Sequence, residues 1–102
     1  MGEHRRQFAR EPGPFAGAWT GAHGTTECRI TNLSPNGCFV DSPQAPGSGA
    51  EVAVTVAFGD GRFSVPGEVV YLDQFRGFGV RFSPSEPSRA LAYAMGIASV
   101  AR

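Results

Sequence analysis

The chain has 102 residues, 41% hydrophobic and 18% charged, an ordinary soluble mixture that allows one core of modest stability. Its formal net charge is zero, so the molecule as a whole offers no general attraction to a polyanion such as DNA or RNA. No apolar run approaches the ~20 residues needed to cross a bilayer, and the charged N-terminus has no apolar segment behind it, so a cytoplasmic protein without membrane insertion is expected.

Residues 1–13 read as a flexible polar arm that bears arginines and ends in Glu11-Pro12-Gly13-Pro14, which cannot continue a helix. Residues 14–102 then form the folded part. Phe15 to Thr20 is a first, poorly patterned strand, and Ala22-His23-Gly24 a turn. Thr25 to Leu33 is a clearer strand, with Cys28 and Ile30 on one face and Glu27, Arg29 and Thr31 on the other. Ser34-Pro35-Asn36 connects it to a partner strand at Gly37 to Asp41. Ser42 to Ala50, with two prolines and two glycines, is a loop.

In Glu51 to Phe58 the apolar residues Val52, Val54, Val56 and Phe58 alternate with smaller ones, the period of a half-buried strand. Gly59-Asp60-Gly61 turns the chain into a strand from Phe63 to Leu72, which Pro66-Gly67 is expected to interrupt with a bulge or an edge. A final strand follows Asp73 to Arg76, with Phe78, Val80 and Phe82 inward and Gly79 and Arg81 outward. Ser83-Pro84-Ser85-Glu86 has the form of a capping box. Pro87 would remove an early donor, which moves the expected start of regular helix towards Ser88. The helix runs through Leu91, Met95 and Ala98; packing across one end of the barrel is one role for it, and because Tyr93, Met95, Ile97 and Val100 surround much of its circumference, a surface for a protein effector is the other. Six strands with turns every ten residues or so predict an all-β fold, a small antiparallel barrel with a C-terminal α-helix.

Cys28 and Cys38 lack the spacing of a metal or redox site, and His4 and His23 form no ligand cluster with them. They are expected as buried free thiols, although two strand cysteines flanking a turn also admit a disulfide. Neither a catalytic triad, a phosphate-binding loop nor a carboxylate-rich metal site is present in the pattern. The expectation is therefore a binding protein and not an enzyme, without catalytic or metal-ligating residues and without a cofactor.

Two motifs carry the functional reading. Arg6-Gln7-Phe8-Ala9-Arg10 places two guanidinium groups on the arm; each can read a guanine edge through paired hydrogen bonds, stack on a purine, or neutralise a phosphate. Asn32-Leu33-Ser34-Pro35-Asn36-Gly37 adds a carbonyl acceptor, a hydroxyl and a backbone free of side chain at the turn between two strands. By composition an Arg-x-x-x-Arg arises about 0.8 times by chance, and [Asp/Asn]-x-Ser-x-x-Gly only about 0.05 times. Taken singly, the second motif is also good turn chemistry, with Asn32 or Ser34 bonding local backbone and Gly37 supplying a positive φ.

Together with Gly77-Phe78-Gly79-Val80-Arg81-Phe82, these two stretches resemble the PilZ family, bacterial receptor domains for the second messenger cyclic di-GMP, over nearly the whole chain. The resemblance implies a six-stranded antiparallel PilZ-like β-barrel with a C-terminal α-helix. It implies that Arg6 and Arg10 wrap cyclic di-GMP against the barrel, with Asn32, Ser34 and Gly37 forming the barrel side of the site. An extended arm would set the two arginines ~13 Å apart on one side, and a helical arm would make them neighbours. The sequence leaves that choice open, as it does any contact from Arg81. Arg5, just before the first clamp arginine, resembles the family's preference for an intercalated pair of ligands, which implies two cyclic di-GMP per chain. Two other readings compete with this one: a PilZ-like protein-protein interaction module that ignores nucleotide, and, more weakly, a barrel binding single-stranded nucleic acid through aromatic platforms.

Overall fold

A computed structural model describes residues 10–101, with side chains to residue 97. Six antiparallel strands close into a barrel in the order β1-β2-β3-β6-β5-β4, where β1 is Phe15–Gly21, β2 Gly24–Ser34, β3 Gly37–Asp41, β4 Glu51–Phe58, β5 Gly61–Asp73 and β6 Gly77–Phe82; the helix α1 is Glu86–Ala101. The β1–β4 pairing, with Trp19 opposite Val54, completes the ring. The elements are those expected, and β3 and β4 have the expected limits. Closure leaves no sheet edge unpaired, so any ligand must use the outer faces, the loops or the ends.

Alternation fills the interior. Val52, Val54, Val56 and Phe58 of β4, Val65 and Val69 of β5, and Phe78, Val80 and Phe82 of β6 are all buried, each contributing roughly 1.5–3 kcal/mol. Trp19 packs edge-on to Phe78, with ring centroids 5.3 Å apart. Its indole N–H donates to Ser42 Oγ at 3.2 Å, so the buried polar tip has a partner. From α1, Leu91 and Met95 join the core, mainly against β5, while Tyr93 and Ile97 stay exposed. Among the described residues no helix is long and apolar enough to cross a membrane.

Two expectations are corrected. Pro66-Gly67 does not interrupt β5: Pro66 lies opposite Ala53 and Gly67 opposite Val52 without a shift of register. The bulge falls at Val70, between the pairs Val69–Val80 and Tyr71–Gly79. The capping box also lies two residues further on. Ser88 N–H donates to Ser85 Oγ at 3.1 Å, and Ser85 N–H donates to Ser88 Oγ at 2.9 Å. Helix therefore starts at Glu86, ahead of Ser88, and Pro87 sits in the first turn, where a missing N–H leaves no bond unmade. Replacing Ser85 by Ala is expected to lower stability by about 1 kcal/mol, read as a fall in the urea midpoint; an unchanged midpoint would contradict the cap.

Cys28 and Cys38 are free thiols, Cys38 buried and Cys28 half-buried. In the β2–β3 register Arg29 lies opposite Asp41 and Thr31 opposite Phe39, which puts Cys28 and Cys38 beyond opposite ends of that run, so they are not cross-strand partners. Burial pushes both thiols up, Cys28 to about 11 with help from the nearby Asp41 charge, and Cys38 to about 12 with help from Cys28. The fold thus favours the protonated thiols. Their contribution to stability is complete below the ordinary value of 9.0 and falls as pH rises towards 11 and 12, because the unfolded chain ionises first. At pH 8, alkylation of Cys38 in the native protein is expected to run at least about a hundredfold slower than in urea; mass spectrometry showing similar rates would refute the burial.

Candidate functional site

The second motif sits where β2 is irregular. Thr31 pairs with Phe39 and Ser34 with Gly37, so Asn32 and Leu33 together oppose a single residue of β3. This is a β-bulge, and it holds Asn32 at φ 51°. Asparagine tolerates that left-handed conformation better than most side chains. Leu33 turns fully into the core, and Asn32 is left on the surface.

The bulge also receives the end of the arm. Glu11 N–H donates to Leu33 O at 2.7 Å and Leu33 N–H donates to Glu11 O at 2.9 Å; one residue on, Asn32 N–H donates to Pro12 O at 3.3 Å. Arg10 is thereby carried to the bulge, where its guanidinium donates to Asn32 O at 3.4 Å. Arg10 and the Asn/Ser/Gly motif thus meet. Arg5 and Arg6 lie outside the described residues.

Ser34 is buried, and its hydroxyl serves the turn: Oγ accepts from Asn36 N–H at 3.2 Å and donates to Gly37 O at 3.3 Å. With its proton committed and one lone pair used, it can offer an incoming group only an acceptor. Gly37 is not in the positive-φ region, which the turn-chemistry reading required of it; Asn32 is the motif residue there. The need for glycine at 37 is one of approach. A Cβ would strike the Val80 carbonyl oxygen of β6, because Gly37 and Arg81 are cross-strand partners.

These residues line a cleft of about 220 Å³ on the outside of the barrel, over β3, β6 and the bulged part of β5. Arg10, Asn32, Ser34 and Asn36 form one side and Val70 and Tyr71 belong to the other, with Gly37, Gly79 and Arg81 between. Arg81, outward as expected, forms an exposed ion pair with Glu68 at 3.2 Å. Such a pair contributes about 0–1 kcal/mol, so a phosphate could compete for the guanidinium. Gly79, expected on the outside, is buried beneath the Tyr71 ring. The cleft therefore offers two guanidinium groups, two carboxamides, a hydroxyl acceptor, a flat glycine floor and an aromatic ring. That is a set able to hold a purine nucleotide by its edge, face and phosphate. Among the described residues no cluster of acidic, histidine or cysteine side chains could hold a metal ion.

Sequence reasoning missed Val70 and Tyr71. Continued alternation from Val65, Gly67 and Val69 would send Tyr71 inward, and only the bulge, which no glycine or proline announces, turns it out. A usable signal was the pairing of a large aromatic with a glycine on the neighbouring strand.

Residues 4–93 match the PilZ domain, and the chain belongs to that family of binding modules, generally receptors for cyclic di-GMP. Among solved structures, one that it resembles is the Bacillus subtilis inhibitor of motility (MotI/DgrA), at TM-score 0.70 and 16% identity, covering 96% of this chain and 53% of that one. Another is the PilZ domain of CeSA from a cellulose-synthesizing bacterium, at TM-score 0.65 and 13% identity, covering 92% of this chain and 99% of that one. The chain thus spans about half the length of the motility inhibitor. At these identities the likeness shows the fold, a barrel of six antiparallel strands with a C-terminal helix. A search of the curated proteins gave no match.

Substituting Gly37 by Ala is expected to cost about 1–3 kcal/mol, since the new methyl must displace β6 or bend β3. Equilibrium urea unfolding measures this, and a midpoint equal to wild type would mean the strands do not approach as closely as described.

Proposed function

We propose that this protein is a cyclic di-GMP receptor or adaptor whose ligand occupies the cleft between Arg10 and Tyr71. The observation that carries the reading is the meeting of Arg10 with Asn32 through the Glu11–Leu33 bridge, which joins the end of the arginine motif to the Asn/Ser/Gly motif on one surface. Arg10, with Arg6 from the arm, clamps phosphates and guanine edges. Asn32 and Ser34 bond the base from the barrel side, Ser34 by accepting from a guanine N–H. Gly37 keeps the floor low enough for the base to approach.

Glu11 and Pro12, expected within the flexible arm, are already hydrogen-bonded to the β2 bulge, so signalling follows from ordering of the arm ahead of them over the ligand, which presents a new surface to a protein effector. Arg5 supports an intercalated pair of ligands, because an additional guanidinium can stack on a purine and offset the crowding of four phosphates. The second reading, a nucleotide-independent PilZ-like interaction module, draws on Phe75, which is 87% exposed at the tip of the β5–β6 hairpin.

Calorimetric titration of cyclic di-GMP into the protein, with GMP as control ligand, tests the receptor reading. Saturable binding is expected, at two ligands per chain, with Arg6→Ala and Arg10→Ala each weakening it at least about tenfold. Saturation at one ligand would remove the role given to Arg5 while leaving the receptor intact. Neither heat nor a change in the NMR spectrum at high ligand concentration would favour the interaction module.

A further inference from the structure

We propose that Glu68, backed by Glu51, sets the affinity of the cleft by holding Arg81 away from the phosphates of the bound nucleotide; this rests on the receptor reading above. Strand register places the parts in one row across the barrel. Glu51 of β4 lies opposite Glu68 of β5, Glu68 opposite Arg81 of β6, Arg81 opposite Gly37 of β3, and Gly37 opposite Ser34 of β2. Arg81 thus stands between two carboxylates on one side and the Asn/Ser/Gly motif on the other, and it lines the cleft. Its guanidinium is turned to the carboxylate side, with Nη2 3.2 Å from Glu68 Oε1.

The carboxylates have a physical reason to keep it there. Like charges directly opposite one another on neighbouring strands repel, and among the described residues the Glu51 carboxylate has neither a hydrogen bond nor an ion pair. Arg81 offsets both charges, and its departure leaves Glu51 and Glu68 facing one another. Two features leave the way to the motif open. The Arg81 side chain is 66% exposed, and Gly37, its cross-strand neighbour on that side, has no side chain to stand in its path. A phosphate in the cleft and the carboxylate pair therefore compete for a single guanidinium. An exposed ion pair is weak enough for a ligand to break and strong enough to subtract from the ligand's affinity. Glu68 is a positioning residue for the cleft: it acts through Arg81 and touches no ligand itself.

The test is calorimetric titration of cyclic di-GMP into wild type, Glu68→Gln, Arg81→Ala and the double variant, with the Arg81 Nε–H resonance followed by NMR in wild type. Glu68→Gln is expected to bind about two- to fivefold more tightly than wild type, the range that an exposed ion pair can withhold, and Glu51→Gln to shift affinity the same way by less. Arg81→Ala is expected to bind about threefold or more weakly. In the Arg81→Ala background the gain from Glu68→Gln is expected to disappear, because no guanidinium remains to release. The Arg81 resonance is expected to shift when ligand is added. A Glu68→Gln gain that persists undiminished without Arg81 would trace to the loss of a negative charge near an anionic ligand and overturn the proposal. Wild-type affinity in Glu68→Gln or in Arg81→Ala, or an Arg81 resonance unmoved by ligand, would also overturn it, and all of these leave the receptor standing. Absence of binding in wild type would overturn the receptor reading and the proposal with it.

Discussion

Two backbone hydrogen bonds between Glu11 and Leu33 determine where the arm meets the barrel, and the site is built around that point. They form only because β2 carries an extra residue between Thr31 and Ser34, which turns Leu33 into the core and aims its peptide groups at the incoming chain. An unbulged β2 would keep those groups for its neighbouring strand. The same irregularity puts Asn32 on the surface in a left-handed conformation beside Arg10. One bulge therefore buries a leucine, ties down a connection and sets an asparagine next to a guanidinium.

The fold was largely legible because the strands alternate. Glu51 to Phe58 and Gly37 to Asp41 could be read at sight, and their limits agree with the observed strands. What the pattern hid was parity. Alternation cannot show an inserted residue when the residues around it are themselves apolar, as Val69, Val70, Tyr71 and Leu72 are, so the bulge was expected at Pro66-Gly67, where backbone chemistry advertised one. Half of the cleft was lost with it. The helix start was misplaced for a related reason: Ser83 and Ser85 each have a polar residue three positions on, and only the geometry selects Ser85 with Ser88.

The motif residues illustrate how folding and binding can ask for the same atoms. Ser34 holds its own turn, Gly37 permits β3 and β6 to approach, and Asn32 accommodates a backbone angle that few residues accept. Each of them has a sufficient reason to be present in the barrel alone. Substitutions at Ser34 or Gly37 consequently mix lost stability with lost contacts, and their effects on binding cannot be assigned to the ligand without a parallel measure of folding. Arg10 is a cleaner probe: it is exposed, and its long contact with Asn32 O is of little structural weight.

That division of labour has a physical consequence. The floor of the cleft, made from paired strands over a closed core, is rigid before anything binds, so a base laid on it incurs little further ordering there. The cationic groups differ. Arg10 is held by a contact near the limit of hydrogen bonding, and Arg81 by a solvent-exposed partner; both can turn towards a phosphate at small cost. In a chain of zero net charge, attraction for an anionic ligand has to come from these local charges and falls off within a Debye length of about 8 Å in physiological salt. On the proposed reading, recognition is confined to the place where the charges and the rigid floor coincide, beside the bulge that Glu11 closes.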